Sequence, residues 1–153
     1  MGESENLTFS FQERLDSLKQ ENLRLHASID ALDARFDSLL KVQGPRPKQS
    51  EQGIKSEIAA LENQRMRSSG LSAKEESKLL DRIHRLGESL KDVDAYRKMD
   101  VELKSIKSQK GNLWSEVRTK EGQIQELENE LKKIQLSVMC GLSHCYTYYA
   151  VSL

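Results

Sequence analysis

Aromatic side chains are scarce in this chain. Phe, Trp and Tyr together make up 5% of its 153 residues, whereas Asp, Glu, Lys and Arg make up 31%. So little bulky apolar surface argues against the thick core of a compact domain. The abundance of Glu, Lys, Leu, Ser, Gln and Arg is the composition of long solvated helices. An excess of one charge is also missing: 24 basic residues face 24 acidic ones, for a formal net charge of zero. A strong nucleic-acid binder needs surplus cations to neutralise phosphates, so only a local basic patch is left open. Cysteine is confined to Cys140 and Cys145, which imply no disulfide framework. The acidic opening Met1-Gly2-Glu3-Ser4-Glu5 is no secretory signal, and Asn6 stands where a myristoylation motif wants Ser or Thr. The default compartment is therefore the cytoplasm.

Proline occurs only at Pro45 and Pro47. With Gly44 they end a first periodic stretch, because proline lacks the amide donor and disfavours a helical predecessor. That stretch, residues 10–42, follows a polar lead of residues 1–9. Its seam runs through Phe11, Leu15, Leu18, Asn22, Leu25, Ile29, Leu32, Phe36 and Leu39. The steps alternate four and three, a 3.5-residue period that winds helices around each other left-handedly. Leu15, Asn22, Ile29 and Phe36 take the a positions, with Phe11, Leu18, Leu25, Leu32 and Leu39 at d. Ser10 and Glu13 have the spacing of a capping box, which would start the helix there. Beyond the linker 43–49, residues 50–67 carry a short stripe of Ile54, Ile58 and Leu61, broken at Ser68-Ser69-Gly70.

The longest stretch spans residues 72–136, and Ser72 with Glu75 again has capping-box spacing. Its stripe passes Leu79, Ile83, Leu86, Leu90 and Val93. It resumes in a shifted frame at Tyr96, Met99, Leu103 and Ile106, then continues through Leu113, Val117, Ile124, Leu127, Leu131 and Ile134. A helix this long spans roughly 98 Å at 1.5 Å per residue, and must find a partner along its length. Arg97, Lys110 and Lys120 fall at core positions, where long basic side chains carry their charges out to water. Residues 137–153 hold no Asp, Glu, Lys or Arg. Cys145-Tyr146-Thr147-Tyr148-Tyr149 has strand propensity, so this atypical tail is expected to lie outside the functional fold.

No nucleophile elbow, P-loop or dinucleotide-binding glycine fingerprint occurs, so no catalytic or cofactor-binding residues are assigned. Cys140, His144 and Cys145 are zinc-ligand types, but no second ligand pair accompanies them and no metal site is assigned. His26, at an e position, reads as a solvated seam-edge residue. Trp114 reads as widening the apolar face beside Leu113. Arg65 and Arg67 read as a solvated helix end. Asn22 has two readings: a register-fixing polar residue that meets another Asn, or a defect in a marginal seam. Arg14 and Lys19, at g and e, would repel in a parallel homodimer.

Ile54-Lys55-Ser56-Glu57-Ile58 with Leu61-Glu62 precedes the break. After it come Gly70-Leu71-Ser72-Ala73-Lys74-Glu75-Glu76-Ser77-Lys78-Leu79-Leu80 and the helix from Ile83 to Leu90. On these residues the segment from Ile54 to about Gln135 resembles the nuclear segregation family. These are coiled-coil proteins linked to brefeldin A resistance, with plant proton pump interactors as looser relatives. The resemblance implies association with polysomes and messenger ribonucleoprotein at the endoplasmic reticulum periphery, and a link to nuclear segregation.

The expectation is an all-α, extended coiled coil of long helices with short breaks, non-globular and non-enzymatic. The seam would face itself or another coiled-coil protein. Cytoskeletal or vesicle tethering and a tail-anchored membrane protein are the alternatives. The residues 137–153 sit at the lower edge of a spanning length and contain Gly141, Ser143, His144 and Thr147, which disfavours the anchor. Far-ultraviolet circular dichroism of the isolated chain should give the deep double minimum of a predominantly helical protein. A strand-dominated spectrum would be incompatible with this reading.

Overall fold

The computed structural model describes residues 2–150, with side chains described as far as Gly141. It contains three helices: α1 (Gly2–Gln43), α2 (Glu51–Arg67) and α3 (Ala73–Ala150). No strand occurs among the described residues.

The helix boundaries follow local chemistry. Gly44 adopts a left-handed φ of 68°, the conformation that lets a chain leave a helix without a Cβ clash. Pro45 then prevents resumption. Ser50 caps α2, its Oγ accepting from the Gly53 amide at 3.1 Å. α3 opens on a complete capping box. The Glu75 amide donates to Ser72 Oγ at 3.3 Å, and the Ser72 amide donates to the Glu75 carboxylate at 3.0 Å. Two otherwise orphaned amides are thereby satisfied by one pair of residues.

Two boundaries differ from the sequence reading. α1 starts at Gly2, so residues 2–9 are helical, and Ser10 lies inside the helix without acting as its cap. Glu3 and Glu5 sit in the first turn, where carboxylates favour the positive end of the helix dipole. Once a helix exists, each further residue adds a hydrogen bond at little cost. The apolar stripe begins later than the helix because it reports packing, not backbone state. At the other end α3 continues through Ala150 instead of stopping at Leu136. Nothing in residues 137–150 breaks a helix sharply, and strand-prone side chains form no ladder without a neighbouring strand. The side chains of His144, Cys145 and the tail tyrosines lie outside the described residues, as do residues 151–153 altogether.

The chain divides into two units. One comprises Met1–Asp33 with Ser108–Leu153, and the other Ala34–Lys107. In the first, α1 and α3 run antiparallel: Lys19 meets Glu128, Glu21 meets Lys120, and Asp33 meets Lys110. As numbers rise along α1 they fall along α3. Leu15 and Leu18 form a buried cluster with Leu127 and Leu131, flanked by Phe11 and Ile124. Ile29 and Val117 are also buried, at 2% and 1% exposure.

In the second unit the end of α1 pairs with α3 through Arg35 and Glu102. α2 runs antiparallel to the start of α3, with Glu51 against Arg97, Glu57 against Arg82 and Arg65 against Glu76. Ile54 is the deepest residue here, 1% exposed, and Leu86, Leu103 and Ile106 are buried as well.

Gly111 and Gly122 lie within α3, and a Cβ built on either would meet nothing within 4 Å. Gly111→Ala and Gly122→Ala should each raise unfolding stability by about 1 kcal/mol, the helix-interior advantage of alanine. Chemical denaturation followed at 222 nm measures this directly, and a loss of stability would show that α3 is not a regular helix at these positions.

Candidate functional site

The seam residues are all buried or half-buried, and Leu15, Leu18, Leu127 and Leu131 pack together with Phe11 and Ile124. On α1, Leu15, Leu18 and Ile29 are buried, while Phe11, Asn22, Leu25, Leu32, Phe36 and Leu39 are half-buried. On α3, Leu86, Leu103, Ile106, Val117, Leu127 and Leu131 are buried, while Leu79, Ile83, Leu90, Leu113, Ile124 and Ile134 are half-buried. Each fully buried aliphatic side chain contributes roughly 1.5–3 kcal/mol relative to exposure.

The basic residues expected in the seam divide into two kinds. Lys110 and Lys120 are there, with side chains 28% and 30% exposed. Each ammonium is carried to a carboxylate on α1, Lys110 to Asp33 and Lys120 to Glu21. Arg97 is not in the seam. Its side chain is 60% exposed and its guanidinium bridges Glu51 at 2.7 Å and Asp94 at 3.1 Å. The covered positions on either side explain this correction. From Leu90 the covered apolar residues fall at Val93, Tyr96 and Met99 before Leu103. Three consecutive three-residue steps overwind the stripe and rotate Arg97 to the rim.

Other polar groups sharpen the picture. Lys19, which would repel in a parallel dimer, sits 3.1 Å from Glu128 on α3. Asn22 meets no second Asn: its Oδ1 is buried with no hydrogen-bond partner among the described residues. The register-fixing reading therefore lacks its partner within this chain, and Asn22 remains a costly polar position in the seam. His26 packs edge-on against Trp114, with ring centroids 5.5 Å apart and planes at 83°. Lys107 stands over the Phe36 ring at 5.6 Å. Neither contact was read from the sequence. Placing His26, at e, and Phe36, at a, of α1 in antiparallel register against α3 would have brought both pairs together.

Three carboxylates are held below their ordinary values. For Glu21 the main cause is the hydrogen bond from Lys120, followed by the Lys120 charge. For Glu51 it is the hydrogen bond from Lys55, then the charge of Arg97. For Asp94 it is the hydrogen bond from Lys98 and its charge. Such groups mark ion pairing between and along helices. No cluster of three or more His, Cys, Asp or Glu suited to a metal occurs among the described residues. No helix among them is long and apolar enough to cross a membrane.

Comparison with family models, curated proteins and solved structures finds no match to this chain.

The Glu21–Lys120 pair yields a test with a defined sign. A carboxyl whose folded-state pKa is depressed stabilises the fold above its unfolded value, and that contribution disappears as pH falls through the folded value. Glu21→Gln should therefore lower the thermal midpoint near neutral pH, and the gap from the parent chain should narrow as pH falls below the ordinary glutamate range. A gap independent of pH would mean that Glu21 acts through packing instead of charge.

Proposed function

We propose that this chain is a non-enzymatic scaffold, an extended coiled coil that closes its seam on itself and presents its solvated faces to partners. The observation that carries this reading is the fit of α1 and α2 to α3. Aliphatic residues at a 3.5-residue period are covered within the chain, and the two seam lysines reach carboxylates on the opposing helix. Such a seam consumes the apolar stripe in holding the chain together. What remains for recognition is the outer surface: charged residues with scattered apolar ones such as Leu23, Val101 and Trp114. That surface suits polar assemblies better than deep insertion of a small substrate.

The partner we propose is a polysome or messenger ribonucleoprotein complex. The Ile54–Gln135 resemblance to the nuclear segregation family supports it, in particular the small break followed by Leu71-Ser72-Ala73-Lys74-Glu75-Glu76. In this reading the contact is made chiefly through protein components, because the chain has no net positive charge to drive phosphate binding. A tagged chain expressed in cells should co-sediment with polysomes on a sucrose gradient and shift to lighter fractions after RNase treatment. A chain that stays at the top of the gradient, with or without crosslinking, would defeat the ribonucleoprotein assignment.

A further inference from the structure

Where α1 gives way to α2, the linker leaves part of α3 uncovered. An open groove of about 860 Å³ lies there, bounded by Val42, Pro45, Val93, Tyr96 and Met99. It coincides with the stretch of α3 where the covered positions change phase. Neither a regular helix nor the linker can follow a stripe that overwinds at this point, so its apolar residues are left with a concave, partly open wall.

Polar groups around the groove are unbalanced in one direction. Arg46 and Lys48 line it, and neither makes an ion pair among the described residues. Gln43 contributes a buried Nε2 with no acceptor among them. An adjoining groove of about 420 Å³ shares Gln49 and Ser89 with the first and adds Lys78 and Arg85, also without ion pairs there. The acids on these walls are fewer. Glu57 is already engaged by Arg82, which leaves Asp81 and Asp92. Four cations thus face two carboxylates.

We propose that this groove is a docking site for an acidic peptide segment of a partner protein, carrying one apolar anchor residue. The anchor enters between Pro45, Tyr96 and Met99. Flanking carboxylates reach Arg46 and Lys48. Charge complementarity selects the partner's sign, and the aliphatic and proline walls select a protein segment. A polynucleotide fits less well, because Tyr96 offers a single ring for base stacking. The proposal stands independently of the ribonucleoprotein reading.

Fluorescence anisotropy with the full chain tests it. The probe is a short fluorescein-labelled peptide of Glu-Glu-Leu repeats at physiological salt, with a Lys-Lys-Leu peptide and an oligouridylate of matching length as competitors. The acidic peptide should bind saturably, and neither competitor should displace it. Arg46→Glu with Lys48→Glu should weaken binding by at least about tenfold, as should Val42→Asp, each with unchanged helicity. Hydrogen exchange should slow at residues 42–49 and 89–99 when peptide is bound. Absence of binding, binding unaffected by these variants, or displacement by the oligouridylate would each overturn the proposal.

Discussion

The apolar stripe of α3 cannot be left in water, and most of this molecule is an answer to that constraint. A stripe that recurs every three and four residues along so long a helix presents a continuous line of aliphatic side chains. Burying them stabilises by roughly 25 cal/mol per Å² of apolar area, far more than surface ion pairs return. Two helices cover the stripe. Reversing the chain through residues 68–72 lets α2, and before it α1, lie antiparallel to α3 within the two units.

Antiparallel pairing also decides where the charges meet. Exposed salt bridges contribute about 0–1 kcal/mol each, so their value here lies in selecting one register. Lys110 and Lys120 are held largely within the seam, where a slipped alignment would leave an ammonium facing aliphatic carbon. Asp33 and Glu21 stand where these lysines emerge. A shift of α1 by one heptad would strand both pairs while leaving leucine opposite leucine. The hydrophobic stripe supplies adhesion, and the half-buried lysines supply discrimination among alignments that adhesion alone would not separate.

Much of this was legible in the sequence because the relevant signals are local. The all-helical architecture, the linker at Gly44–Pro47, the second helix and the capping box at Ser72 and Glu75 all follow from periodicity and capping chemistry. So does the place where the stripe of α3 changes frame. The misread positions depend on information that a single helix does not carry. Ser10 and Glu13 have the spacing of a cap, but spacing cannot tell a cap from a mid-helix serine when the preceding residues are also helical. Arg97 falls at a core position of the frame that runs through Leu90 and Val93, but the shifted frame of Tyr96 and Met99 is the one covered there. The partner of the seam was unreadable for a deeper reason: a heptad states that a helix must be covered and is silent about which chain does the covering. The groove beside the linker was unreadable for the same reason, since it exists only where two segments fail to match.

The short connection between α2 and α3 has a consequence for how the chain reaches this state. The ion pair nearest the turn, Arg65 with Glu76, closes a separation of only 11 residues. Glu57 with Arg82 spans 25, Glu51 with Arg97 spans 46, Arg35 with Glu102 spans 67, and Glu21 with Lys120 spans 99. Loop-closure entropy grows slowly but steadily with such separations, and contacts close in sequence form first. Assembly that starts at the turn turns each later closure into a short extension of the one before, much as a zipper draws shut from its slider. The helical start of α1 is then the last segment to find its place and the first to let go.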